Sequence, residues 1–175
     1  MSEDLSYPVG RFEWDGDTTR PRREQLIEEI AAAPSRLRRA VEGLSNEQLD
    51  TPYRPGGWTV RQVIHHLPDS HMNGFTRGKM ALTEDVPTIK PYDEASFARL
   101  ADARETPNEV SLALLDALHA RWVVLLRSLS DADFARAFRH PEIGVVPLDK
   151  QLALYAWHGR HHVAHVTRLR ERMNW

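Results

Sequence analysis

The sequence contains no cysteine. Disulfides, thiolate metal ligands and a cysteine nucleophile are thereby excluded, and the chain suits a reducing compartment. No apolar run approaches the roughly 20 residues that span a bilayer. The start, Met1-Ser2-Glu3-Asp4, is acidic and leads into no apolar segment. Neither a membrane partner nor a signal peptide is therefore expected, and a cytoplasmic location is. An excess of charge is missing too. A net charge of −2 and the lack of a basic stripe give no footing for nucleic acid or an anionic membrane. There is no internal repeat and no low-complexity stretch. What remains is a chain of 175 residues, 41% hydrophobic, long enough for one domain over residues 1–175 that buries most of its apolar surface.

Helical periodicity dominates the pattern. Residues 1–20 are polar, with Tyr7, Phe12 and Trp14 available to anchor an ordered arm. Pro21 suits the first turn of a helix carrying Leu26, Ile27, Ile30 and Ala31. Pro34 is expected to break that run, with Ser35 capping its continuation through Leu37, Val41 and Leu44. Ser45 to Gln48 forms a capping box before Leu49. Thr59 and Gln62 form a second one, with Trp58 as staple, opening a helix to about Leu82. Pro68 interrupts this helix, and a kink is expected there. A loop over 84–92, a short helix over Asp93–Ala103 and a long leucine-striped helix from Pro107 follow. Phe134–Val146 reads as a small β-hairpin around Pro141-Glu142-Ile143-Gly144. Asp149 is placed to cap a last helix running to about Met173. The sum is an all-α helical bundle with short extra helices and a small β-hairpin, an architecture that commonly builds metal sites from facing side chains.

The chemistry concentrates in histidine. Four of the nine histidines lie in the run His158-Gly159-Arg160-His161-His162-Val163-Ala164-His165. His158 with His162, and His161 with His165, sit four apart, about one helical turn, where two imidazoles can bridge one transition metal. Since a helix turns about 100° per residue, His162 and His165 fall within about 40° of His158, and His161 about 60° away on the side opposite His162. Tyr155 and Leu169 share the His158 face, so His158 with His162 is the preferred chelating pair. Spacing alone leaves His161 with His165 open. Gln151 shares this face and needs a polar partner there. In the doublet His65-His66, His66 lies at the edge of the arc set by Val60, Val63, Ile64 and Leu67, where a cavity can open. His65 points away and is expected to be solvated or to support a ligand. His71 lies near the apolar centre and could line the cavity. His119 is expected to pack or to support a ligand, and His140 to be exposed. Asp69 is a weaker ligand candidate or an orienting group for an imidazole. Arg121, Arg160 and Arg168 read as solvated charges, with Arg160 able to attract an anion. Histidines on helices are ordinarily surface or satisfied core residues. A cluster is different, because protonated neighbours repel and neutral ones need partners.

Several stretches carry a resemblance. They are Leu5-Ser6-Tyr7-Pro8-Val9-Gly10, Thr51-Pro52-Tyr53-Arg54, Gly56-Gly57-Trp58-Thr59-Val60-Arg61-Gln62-Val63, His65-His66-Leu67, Asp69-Ser70-His71-Met72-Asn73, Pro91-Tyr92-Asp93-Glu94 and Trp157-His158. Together they resemble the YfiT branch of the DinB superfamily over nearly the whole chain. The resemblance implies an up-down four-helix bundle, a homodimer, and one divalent transition metal per subunit, zinc or nickel, held by three histidines. Its pattern carries over onto His66, His158 and His162, the set that facing favours. It also implies metal-dependent hydrolysis or, in thiol-producing bacteria, bacillithiol S-transfer. Pro68 departs from the pattern, standing where alanine is usual.

Three neutral histidines leave at least one coordination position for an exogenous ligand. A small thiol there could attack an electrophilic small molecule as its thiolate. Water there would serve hydrolysis. The resemblance favours transfer. The sulfur must come from solution, since the chain has none in cysteine. A non-catalytic bundle that binds metal or a small ligand is the reading from another class.

Overall fold

The computed structural model describes residues 4–175. Of the acidic start, Met1-Ser2-Glu3 therefore lies outside the described residues. Four long helices carry the fold: α1 (Arg20–Val41), α3 (Val60–Thr83), α6 (Asn108–Arg127) and α8 (Leu148–Met173). The one-turn helices α2 (Asn46–Leu49), α4 (Glu94–Phe97), α5 (Asp102–Glu105) and α7 (Asp131–Phe134) punctuate the connections. An antiparallel hairpin, β1 (Ala137–His140) with β2 (Gly144–Pro147), precedes α8. Its tight end closes at Gly144, whose φ of 76° favours glycine.

Paired side chains set the helix directions. Arg23 near the start of α1 grips Asp149 near the start of α8, Nε to Oδ1 at 2.6 Å and Nη2 to Oδ2 at 2.9 Å. Arg170 near the end of α8 donates to the carbonyls of Ala40 and Glu42 at the end of α1. These two helices are therefore parallel. So are α3 and α6, joined at His65–Ser111 and His71–His119. Arg38 with Glu109, and Arg127 with Glu28, make α1 and α6 antiparallel. Gln151 with Gly74, and Tyr155 with Ser70, do the same for α8 and α3. The expected four-helix bundle is present, and its circuit runs up-down-down-up. Each long helix packs chiefly on α6 and α8 or on α1 and α3, which leaves α1 with α3, and α6 with α8, on diagonals. Segment 84–107, bearing α4 and α5, is the crossover that two parallel helices require.

The apolar core divides in two along the bundle. One half gathers Leu26, Ile30, Trp122 and Leu152. The other gathers Leu37, Val60, Leu115 and Val166. Each long helix carries buried apolar stretches on either side of an interruption, polar on α3, α6 and α8. The interruption falls at Pro34 on α1, Ser70 to Gly74 on α3, His119 on α6 and His158 to His165 on α8. A waist of buried polar groups thus lies between two apolar halves.

Both capping boxes form as expected. Thr59 accepts from the N–H of Gln62, whose side chain accepts from the N–H of Thr59, and Ser45 and Gln48 reciprocate likewise. Several local expectations are corrected. Pro34 does not break α1, which is continuous from Arg20 to Val41. Proline removes the donor to the carbonyl four residues back, here that of Ile30, and His119 Nδ1 supplies a replacement at 2.7 Å. Ser35 caps nothing and instead donates to Ala32. The helix over Asp93–Ala103 is two separate turns, because the N–H groups of Arg99 and Leu100 bond three residues back and tighten the first to its end. Asp149 does not cap α8. Pro147 holds the cap position and the Asp149 carboxylate is committed to Arg23. At Pro68, α3 also runs on unbroken.

Candidate metal centre

The sequence pattern brings three histidines together at the waist. Val63, Ile64 and Leu67 pack inward and turn His66 to the margin of their core, as the facing argument expects. On α8, Tyr155 and Leu169 anchor the same face as His158 and His162. His66 Nε2 and His158 Nε2 stand 3.3 Å apart. The His162 ring centroid lies 4.5 Å from that of His158 and 4.7 Å from that of His66. One nitrogen from each ring lies within 4.8 Å of the other two. Burial, with His161 nearby, lowers the His66 pKa to about 3. His158 and His162 are pushed well below the ordinary range, first by burial and then by neighbouring imidazoles. Three neutral imidazoles converging from two helices are a donor set that suits a divalent transition metal.

A second triple, His161, His162 and His165, meets the same distance criterion. His161 stacks on Trp157 at 4.5 Å and sits 5.9 Å from the Tyr7 ring. His165 stacks on Tyr53 at 3.8 Å. The arm expected at the N-terminus runs over this face. The Ser6 carbonyl lies 3.4 Å from His165 Nε2, and Trp157 Nε1 donates to Gly10. Nδ1 of His161, of His162 and of His165 is buried without a hydrogen-bond partner among the described residues. Burial lowers the His161 and His165 pKa values to about 4.

The remaining histidines separate clearly. His65 is buried rather than solvated, its Nδ1 2.7 Å from Ser111 Oγ on α6. His71 is fully buried and does not line the cavity. Its Nδ1 lies 2.8 Å from His119 Nε2 and its Nε2 lies 3.1 Å from His158 Nδ1. His140 is half-buried, its Nδ1 accepting from the Glu142 N–H. Asp69 does not line the cavity. Burial and the nearby Asp102 raise its carboxyl to about 6. Arg160 is committed to Glu29, so it is no free anion site. Gln151 finds its polar partner in the Gly74 carbonyl at 2.9 Å.

The histidines open into a cavity of about 500 Å³. Sequence reasoning missed several of its walls: Arg54, Arg77, Tyr92 and Glu94. Tyr92 and Glu94 arrive on the crossover, far in sequence from the ligand candidates. Their motif, Pro91-Tyr92-Asp93-Glu94, was the only sign of them. Tyr155 donates to the Ser70 carbonyl at 3.1 Å, and its ring needs Gly74 beneath it. A Cβ there would stand 2.3 Å from Tyr155 Cζ. Burial raises the Tyr92 and Tyr155 phenols, so both are protonated donors near neutrality.

Comparisons with known proteins bear on the family and the fold. The sequence pattern of the DinB superfamily matches residues 29–166. A protein of Bacillus mycoides is 54% identical over 173 residues, covering 99% of both chains, and bears the name "putative metal-dependent hydrolase". One from Oceanobacillus iheyensis, with the same name, is 53% identical, covering 97% of this chain and 98% of its own. Among solved structures, YfiT from Bacillus subtilis superposes with a TM-score of 0.95 at 47% identity over 98% of each chain. It is described as "a probable metal-dependent hydrolase with an unusual four-helix bundle topology". A second four-helix bundle protein, 20% identical, matches with a TM-score of 0.56 over 81% of this chain and 94% of its own, and supports the fold alone.

Proposed function

The chain belongs to the DinB superfamily, and on that footing we propose that it is a metal-dependent S-transferase, in which His66, His158 and His162 hold one zinc or nickel ion and a small thiol is joined to an electrophilic small molecule. The observation that carries this is the convergence of three neutral imidazoles from α3 and α8 on the wall of a cavity of about 500 Å³. When bound, the divalent metal supplies Lewis acidity that favours loss of a proton from a thiol or a water beside it. The chain supplies the rest. His66, His158 and His162 offer lone pairs without carrying charge, because burial disfavours their protonation. Arg54 and Arg77 give the cavity positive walls for an anionic cosubstrate. Trp58 and Trp157 present apolar surface for the electrophile and help to exclude water. In the transfer, the thiol proton passes to solvent, sulfur bonds to the electrophilic carbon, and the leaving group departs from that carbon as an anion with the electron pair of the broken bond. The homodimer implied by the resemblance belongs to the same proposal.

One feature favours hydrolysis as a second reading. Glu94 lines the cavity, and a carboxylate there could accept a proton from an attacking water. The readings separate in one assay of metal-loaded protein. Monochlorobimane conjugation is followed with several small thiols beside a panel of esters and amides. Conjugation that requires thiol and is lost in His158→Ala supports transfer. Ester turnover without thiol, lost in Glu94→Gln, supports hydrolysis. Metal binding with neither activity makes the chain a binding module.

A further inference from the structure

Four groups in the waist form one hydrogen-bonded line that ends at a proposed metal ligand. It starts at the Ile30 carbonyl of α1, which Pro34 leaves without its helical donor. His119 Nδ1 lies 2.7 Å from that oxygen. His119 Nε2 lies 2.8 Å from His71 Nδ1. His71 Nε2 lies 3.1 Å from His158 Nδ1. Only the first contact has a fixed sense, since a carbonyl oxygen can only accept. That one constraint orders all the others. His119 must carry its hydrogen on Nδ1, so a neutral His119 accepts at Nε2. His71 must then donate from Nδ1 and accept at Nε2. His158 must donate from Nδ1, which leaves its Nε2 lone pair facing His66 and His162.

We infer that Pro34, His119 and His71 form a tautomer relay, in which a helix carbonyl freed by proline fixes His158 as the Nδ1–H tautomer and so aims the Nε2 lone pair at the metal. His119 and His71 are positioning residues, since neither lines the cavity. No carboxylate hydrogen-bonds to this line among the described residues, and His119 and His71 are 2% and 0% exposed, where an unpaired charge is costly and neutral rings are favoured. Metal-binding histidines ordinarily give their second N–H to a carboxylate, a carbonyl or water. Here the carbonyl is reached through two further imidazoles, which orients the ligand without placing an anion beside it. The inference also gives both proline and histidine a reason at the waist, where apolar side chains would pack more simply.

The relay rests on the proposed ligand role of His158, and the test keeps the two apart. Nitrogen-15 NMR of metal-free protein at neutral pH reads the hydrogen position on each ring, with signals assigned through single histidine substitutions. Nδ1–H on His119, His71 and His158 is expected, against the Nε2–H form that free histidine prefers. Nε2–H on any of the three overturns the relay, whatever the metal site proves to be. Zinc affinity, measured by chelator competition, then tests its consequence. His119→Leu should weaken zinc binding about 10- to 100-fold, whereas His119→Gln, whose amide can donate to Ile30 and accept from His71, should restore most of it. Equal affinity in wild type and His119→Leu would overturn the relay's role. Unchanged zinc affinity in His158→Ala would instead overturn the ligand assignment. Should His119→Leu fail to fold, the wild-type tautomers alone decide the inference.

Discussion

Two histidine triples share His162, and they are built in different ways. His66, His158 and His162 come from two antiparallel helices, and a hydrogen bond to His71 orients His158 through its far nitrogen. His161, His162 and His165 come from one helix. Aromatic stacking on Trp157 and Tyr53 holds the outer two, and no hydrogen bond reaches any of their Nδ1 atoms among the described residues. Distance alone admits both sets. The difference lies in what holds each ring. The bond to His71 selects which nitrogen of His158 faces inward, whereas His161 and His165 are held in plane by stacking, with one long contact from His165 Nε2 to the Ser6 carbonyl. On the proposed function the first triple is the metal centre, and the second a packed wall beneath the N-terminal arm.

The largest effect expected is on metal content. His66→Ala and His158→Ala should weaken zinc binding by more than the roughly 100-fold that losing a supporting group costs, while His161→Ala and His165→Ala keep it near wild type. Metal analysis and chelator competition measure this. The reverse pattern would exchange the roles of the two triples. His162→Ala cannot discriminate, because both sets include it.

Acid comes next, and the sign follows from the lowered pKa values. Above the unfolded pKa of about 6.5 these histidines are neutral in both states and cost nothing. As pH falls below it, the unfolded chain takes up protons that the folded one refuses, so stability is lost by up to about 1.4 kcal/mol per pH unit for each such histidine. For His161 and His165 the window closes near their folded values of about 4, and for His66 near about 3. Urea titrations of metal-free protein should accordingly show stability falling from pH 6.5 downward. His66→Gln and His165→Gln should each flatten that slope, the former over the wider range. Stability that rises on acidification would contradict the neutral assignment.

Gly74→Ala should act on the first triple alone. Its Cβ meets the Tyr155 ring, one turn before His158 on α8. Overpacking of this kind costs about 1–3 kcal/mol, offset in part by the 0.5–1 kcal/mol or so that alanine gains over glycine in a helix. Thermal unfolding reads the stability, and zinc affinity should fall with it. The smallest effect expected is that of Tyr53→Leu, which removes the ring stacked on His165. A loss of about 0.5–1.5 kcal/mol beyond burial, with zinc affinity unchanged, would mark that side as packing.

Much of this was legible in the sequence, because helical facing depends on spacing alone. His66 separates from His65 by its angle to Val63, Ile64 and Leu67, and the structure keeps that separation. Facing could prefer His158 with His162 but could not exclude His161 with His165, since an angle does not say what packs outside the helix. There it is Tyr7 and Tyr53, from the arm and from a loop. Pro34 was misread for a related reason. A proline's cost is local and visible, while the donor that relieves it, His119, lies 89 residues from Ile30. The same limit hid Glu94 and Tyr92, which only the crossover delivers to the cavity, and the diagonal placement of consecutive helices. Asp149 carried a capping residue's chemistry, but Arg23 competes for it more strongly than an end of α8 can.

The central claim is that His66, His158 and His162, and not the neighbouring triple, hold the metal. Anomalous diffraction at the zinc edge from crystals of the zinc-loaded protein tests this most directly. A single peak within bonding distance of one nitrogen each of His66, His158 and His162, with His161 and His165 still stacked on Trp157 and Tyr53, is the result predicted. A peak enclosed by His161, His162 and His165, with His66 left unligated, would contradict it.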